Sequence, residues 1–300
     1  MNVEEDKMGL RIRPLTPVFG AEISGFSIRD GVDDATFAEI ERAFEERSLL
    51  LFRGQPVNDE EQIAFSARFG PLEATLAGAI GANSRLARIS NLLPDGTIKD
   101  PNSQLALFTR ANLFWHTDSS FKAVPAKASL LSARVIPPSG GDTEFASTRA
   151  AYEALPAAAR KRLEGLIAVH SITKSRERLS PQAVTEEQKK ALPPVPQALV
   201  RTNPATGRKS LLIGSHIAGV VGMTEAEAMA LNEELVDLAT RPEHTYRHTW
   251  RVDDIVMWDN RAVLYRGHPY DEVAHRRLMI RTTLAGSGPT VVNGRIVETA

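Results

Sequence analysis

The chain has 300 residues, 42% hydrophobic and 24% charged, with a formal net charge of −1; this describes an ordinary globular protein with material for one large core or two small ones. The near-zero charge argues against a nucleic-acid binder that neutralises phosphates. The absence of cysteine excludes disulfide frameworks, thiolate metal sites and thiol catalysis. Met1–Lys7 is polar and acidic without an apolar segment, and no apolar run reaches bilayer length, so a cytoplasmic protein with no membrane partner is expected.

In chain order, residues 1–9 read as a polar tail and Leu10 to Phe26 as short extended segments broken by Pro14 and Pro17. Asp34 to Arg47 places Phe37, Ile40, Ala43 and Phe44 at helical spacing, then runs into Ser48–Phe52, an apolar stretch suited to a buried strand. Arg53-Gly54-Gln55-Pro56 breaks the chain, and Asn58 is placed as the N-cap of a second helix reaching about Phe69. Leu107 to Phe145, Leu199 to Ile213 and Tyr246 to Leu284 read as strand and turn, with Val256–Trp258 and Met279–Leu284 the clearest strands. Ser147 to Gly165 and Thr224 to Thr240 are each expected as one amphipathic helix. Residues 171–197 carry many charges and four prolines without periodicity, the composition of a lid or a disordered excursion. Helices gathered early and strands pairing late predict the α+β class: one domain over 10–290, a lid near 171–197 and a C-terminal tail over 291–300.

The chemistry concentrates in two places. In Phe114-Trp115-His116-Thr117-Asp118, an extended backbone projects His116 and Asp118 from one face. One imidazole nitrogen and one carboxylate oxygen are two-thirds of a facial triad, a set that suits non-haem Fe(II) because it leaves positions open. Pro137-Pro138-Ser139-Gly140-Gly141-Asp142 reads as a tight turn from which Thr143 opens a strand. Late in the chain, a strand over 277–284 would put Arg277, Met279 and Arg281 on one face. Two inward arginines require anions, and arginine binds carboxylates bidentately, so an arginine with a nearby threonine hydroxyl would make a clamp for a dicarboxylate. The alternative is a solvated edge-strand face.

His116-Thr117-Asp118, Pro138-Ser139-Gly140-Gly141-Asp142-Thr143, Trp258-Asp259-Asn260-Arg261 and the Arg276-Arg277…Arg281 block together resemble the taurine dioxygenase / 2,4-dichlorophenoxyacetate dioxygenase (TauD/TfdA) family. The resemblance runs from about Leu15 to Leu284 and leans toward the aryloxyacetate branch through Phe52-Arg53-Gly54-Gln55-Pro56 and Arg201-Thr202-Asn203-Pro204. It implies a double-stranded β-helix (jelly-roll) core, Fe(II), 2-oxoglutarate as cosubstrate, O2, and hydroxylation of a small anionic substrate such as an aryloxyalkanoate. It further implies iron ligands at His116 and Asp118, the distal 2-oxoglutarate carboxylate between Arg277 and Thr143, and the substrate anion at Arg281. Asn203 falls in a segment near the substrate, where relatives often carry His. A homo-oligomer, dimer or tetramer, is also implied.

The family's second iron-binding histidine falls at Tyr265, the fourth residue after Arg261. A phenol has a reference pKa of about 10 and must lose a proton to bind as an anion, unlike neutral imidazole. Three readings stay open: Tyr265 binds the metal or stands near it with water substituting; His268 supplies the missing nitrogen through a bend at Gly267 and Pro269; or the protein binds 2-oxoglutarate or another carboxylate without normal turnover. His216 and His275 are the remaining histidines on the substrate side, with His170, His244 and His248 expected as structural or surface residues.

Overall fold

The computed structural model describes residues 9–75, 83–180 and 183–297. Its main sheet has seven strands: β1 (Arg11–Pro14), β2 (Ala21–Ser24), β3 (Leu49–Phe52), β4 (Ala87–Ser90), β5 (Ala128–Val135), β13 (Ile255–Asp259) and β15 (Leu278–Leu284), in the spatial order β1-β2-β3-β13-β5-β15-β4. All its pairings are antiparallel except β2 with β3. Smaller sheets are built from β6 (Thr143–Ser147), β12 (Thr245–His248) and β14 (Val263–Gly267); from β7 (Ile167–His170), β8 (Val195–Ala198) and β11 (Ile217–Val220); and from β9 (Val200–Thr202) with β10 (Lys209–Leu211). The helices are α1 (Asp34–Arg47), α2 (Asp59–Ala67), α3 (Gln104–Arg110), α4 (Thr148–Ala154), α5 (Ala157–Leu163), α6 (Ile172–Glu177), α7 (Glu186–Ala191) and α8 (Glu225–Ala239).

Side-chain alternation turns this list into layers. One face of the main sheet sends Leu50, Phe52, Leu130, Ile255, Met257 and Leu284 against Phe37, Ile40 and Phe44 of α1 and Phe65 of α2. The rings interlock edge-to-face, Phe52 with Phe65 at 5.7 Å and Phe65 with Phe69 at 5.5 Å between centroids. The opposite face sends Leu49, Leu51, Leu131, Val256, Trp258 and Met279 against Phe145, Val263 and Tyr265 of the β6/β14 sheet. β3 is therefore buried on both faces, which explains its unbroken apolar run. A third core joins Ala146 and Leu264, on the far side of the β6/β14 sheet, to α4, α8 and the strands around Leu211 and Ile217. The layers form the α+β arrangement expected from the sequence.

Local chemistry sets the element ends. Asp33 caps α1 by accepting from Thr36 N at 2.9 Å, and Ser48 ends it in the left-handed region at φ 62°. Asn58 and Glu61 form a reciprocal capping box on α2. Three expectations need correction. Ser147–Gly165 is two helices, because Pro156 forces Leu155 out of the helical region to ψ 141°. Residues 104–110 are helical and lead into a 3-10 turn at 111–113; Ser103 caps them by accepting from Ala106 N, and Gln104, Ala106, Leu107 and Arg110 are good helix formers. The segment 171–197 carries α6 and α7 and runs into β8, each helix capped by Ser171 or Thr185. Of the expected tails, residues 1–8 and 298–300 lie outside the described residues, while Val291–Val292 (β16) and Arg295–Ile296 (β17) pair as a small hairpin.

Candidate active site

The His-x-Asp segment is not a strand. His116 makes a single antiparallel bridge with Tyr265, His116 N donating to Tyr265 O at 3.1 Å and Tyr265 N to His116 O at 2.8 Å. The chain then turns, with Ser119 at φ 56°. The turn is fastened by Asn260, between β13 and β14. Its Oδ1 accepts from Trp258 Nε1 (3.0 Å) and Asp118 N (3.1 Å), its backbone carbonyl accepts from Thr117 Oγ1 (2.8 Å), and its Nδ2 donates to Ser129 Oγ at 3.0 Å. Ser129 Oγ in turn donates to Asp118 Oδ2 at 2.6 Å. His116 and Asp118 thus point into one cavity, fixed by this turn and bridge where the sequence suggested an extended strand.

The His116 ring is oriented by its own backbone. Its Nδ1 lies 2.7 Å from Phe114 O. A carbonyl only accepts, so Nδ1 carries the hydrogen and Nε2 the lone pair. Burial pulls the imidazole down to about 4 despite the opposing Asp118 charge, so it is neutral near pH 7. A neutral imidazole with a free Nε2 beside a carboxylate fits a divalent metal ion.

The third position is different in kind. The Tyr265 ring packs 4.2 Å from the His116 ring, and its hydroxyl donates to Asp118 Oδ1 at 3.0 Å. Arg281 Nη1 lies 2.5 Å from the same Asp118 oxygen and 3.0 Å from the Tyr265 hydroxyl. Burial, reinforced by the Asp118 charge, pushes the phenol well above its ordinary range. Tyr265 is therefore a neutral hydrogen-bond donor to the carboxylate. Among the described residues, no three His, Asp or Glu side chains gather where they could hold a metal ion.

His268 does not supply the missing nitrogen. It lines the larger cavity with Tyr265, but its Nε2 is engaged by Glu144 Oε2 at 3.0 Å. Asn203 is also elsewhere: its Nδ2 donates to Glu45 Oε2 at 2.7 Å and its Oδ1 accepts from Ala205 N at 2.8 Å, closing the β9–β10 turn. It lines neither of the cavities at the site, which corrects its assignment to the substrate. His275 lines neither cavity as well.

Two cavities adjoin at this point, of about 270 and 330 Å³, sharing Ile89, Lys99, Thr109, Asn112 and Arg281 as walls. Thr143, Trp258, Tyr265, Tyr270 and Arg277 line the larger. Thr143 Oγ1 accepts from Trp250 Nε1 at 2.9 Å, and Arg277 Nη2 donates to Gly141 O at 3.0 Å. The turn expected at 137–142 is present: Gly140 and Gly141 both have φ 71°, and a Cβ on Gly141 would stand 3.2 Å from Arg277 Nε.

The smaller cavity holds His116 and Asp118 and is strongly cationic, with Arg85, Arg88, Lys99, Lys122, Arg176 and Arg281 against Glu73 and Asp118. Arg176, on α6, went unnoticed in the sequence because its segment has no period. It is 4% exposed, and burial lowers it to about 10. His216, also on this wall, is held neutral by burial and places its Nδ1 3.1 Å from Ser120 Oγ.

This arrangement has well-matched relatives. A family described as "Taurine catabolism dioxygenase TauD, TfdA family" matches residues 11–283. An alpha-ketoglutarate-dependent 2,4-dichlorophenoxyacetate dioxygenase of Cupriavidus pinatubonensis is 45% identical over 285 residues, covering 92% of this chain and 98% of its own. An (S)-phenoxypropionate/alpha-ketoglutarate-dioxygenase of Sphingobium herbicidovorans is 38% identical, covering 92% and 94%. The crystal structure of AAD-2 in complex with Mn(II) and N-oxalylglycine superposes with a TM-score of 0.88 at 40% identity, covering 95% of this chain and 100% of that one. With the match running through almost every element that builds the site, the chain belongs to the TauD/TfdA family of dioxygenases.

Proposed function

We propose that the protein is an Fe(II)- and 2-oxoglutarate-dependent dioxygenase that hydroxylates a small anionic molecule of the aryloxyalkanoate class, on a double-stranded β-helix core. The observation that carries this reading is a pair of adjoining cavities that share Arg281, one cationic and holding His116 and Asp118, the other lined by Arg277 and Thr143. The named activities of the relatives from Cupriavidus and Sphingobium support it.

His116 Nε2 and Asp118 would hold the metal, which with 2-oxoglutarate supplies O2 activation for attack on a C–H bond. The chain's residues supply placement. Arg277 and Thr143 receive the far carboxylate of the cosubstrate, since a guanidinium fork and a hydroxyl match its oxygens. The cationic wall around Arg281 and Arg176 draws in and orients the substrate anion. α6 and α7 bring Ile172, Arg176, Gln188 and Leu192 to the cavity wall, forming a lid that limits water entry. Tyr265 stays protonated and orients Asp118. Hydroxylation beside an ether oxygen yields a hemiacetal that collapses to a phenol and an oxo acid.

Anaerobic titration with Fe(II) and 2-oxoglutarate is expected to give the visible charge-transfer band of the chelate, and aerobic addition of phenoxyacetate to give succinate. Absence of both removes the enzymatic reading. A Tyr265→His substitution is expected to strengthen the band by tightening Fe(II) binding about tenfold or more, because it restores a neutral nitrogen donor. The hydrogen-bonded phenol at the third position favours a second reading, a carboxylate-binding protein without turnover. That reading predicts 2-oxoglutarate binding that is lost in Arg277→Ala and indifferent to iron.

A further inference from the structure

We propose that Arg281 is an internal competitor for the metal ion: its guanidinium holds Asp118 until the substrate anion draws it away, so that metal and anion bind with positive coupling. This rests on the metal reading above. Arg281 Nη1 is 2.5 Å from Asp118 Oδ1, in a pair whose side chains are 19% and 7% exposed. The Tyr265 hydroxyl props the pair, 3.0 Å from Asp118 Oδ1 and 3.0 Å from Arg281 Nη1. The other carboxylate oxygen is engaged by Ser129. A divalent cation seeking Asp118 Oδ1 therefore meets a resident positive charge, and the two repel strongly where water is scarce.

The guanidinium has an alternative partner. Arg281 lines both cavities, and its Nε is buried without a hydrogen bond among the described residues. Its fork, suited to two parallel bonds with a carboxylate, is thus only partly used by Asp118. An anionic ligand that takes the whole fork frees Asp118 for the metal. Linkage makes this reciprocal, because a metal that displaces Arg281 delivers it to the anion.

The test is Mn(II) affinity by electron paramagnetic resonance on the full chain, without turnover. In the parent, saturating phenoxyacetate is expected to tighten Mn(II) binding about fivefold or more, the lower end of ordinary coupling, while uncharged phenoxyacetamide does not. Arg281→Met should bind Mn(II) more tightly than the parent without any anion, and phenoxyacetate should then add nothing. Tyr265→Phe, which keeps the ring and removes the prop, should move Mn(II) affinity in the same direction, so a misfolded Arg281 variant leaves the test intact. Arg176→Met controls for bulk charge, and its gain should be clearly smaller. The proposal is overturned if Arg281→Met keeps the parent's affinity, if Arg176→Met gains as much, if the amide acts like the anion, or if Tyr265→Phe binds Mn(II) less tightly. Failure of the parent and every variant to bind Mn(II) overturns the metal reading with it, whereas binding indifferent to Arg281 overturns the coupling alone.

Discussion

Asn260 satisfies the Trp258 indole and the Asp118 amide with its side-chain oxygen and the Thr117 hydroxyl with its backbone carbonyl, and still gives a hydrogen bond to Ser129, all within a region closed to water. Replacing it by alanine leaves Trp258 Nε1 and the Asp118 amide without their partner. Each buried orphan costs about 1–3 kcal/mol, so Asn260→Ala is expected to lose about 2–6 kcal/mol in urea unfolding. His116, Asp118, Arg277 and Arg281 were legible because a two-residue period survives both in a strand and across a bridged turn. The part played by Asn260 was not, because it depends on how β13 hands over to β14. The placement of Asn203 failed for a related reason: sequence neighbourhood carries no direction, and its carboxamide closes its own turn. Tyr265 stands in the sequence as a phenol at the expected third-ligand position, but its protonation state follows from burial beside Asp118, which only the folded chain creates.

Elements were readable where pattern and punctuation agreed. α1 announces itself by four apolar residues at helical spacing and an aspartate cap, and the strand after it by an unbroken apolar run. α3 is not apparent in the sequence because it is only seven residues long, too short to show a helical period, and its one local signal is the Ser103 cap. The Gly140–Gly141 turn was visible as a turn, yet its second duty, bringing a backbone carbonyl to Arg277, was not. Gly141→Ala meets both a left-handed backbone and the Arg277 side chain. It is therefore expected to weaken 2-oxoglutarate binding about tenfold or more, measured by calorimetry, while Gly207→Ala, also at positive φ but in open space, leaves that affinity unchanged.

For the whole molecule, acid should act through its buried imidazoles. His170 is fully buried and burial lowers it to about 3 from an unfolded value of 6.5; His216 is shifted the same way. Between those values the unfolded chain binds a proton that the folded chain refuses, so stability falls as pH falls from about 6.5 toward 3. Each such histidine contributes a slope of roughly 1.4 kcal/mol per pH unit. Urea midpoints measured from pH 7 to pH 4 should decline steadily, and His170→Gln should flatten the decline. The layered assembly itself was foreseeable only as a class, since which sheet faces which is settled by contacts far apart in sequence, such as Phe145 against Trp258. The reciprocal backbone bonds between residues 116 and 265 do not depend on the side chain carried at 265. Tyrosine and histidine codons differ by a single base, so the socket opposite His116 can exchange a phenol for an imidazole while its mounting stays put. The chemistry of this centre is thereby separable from the architecture that carries it.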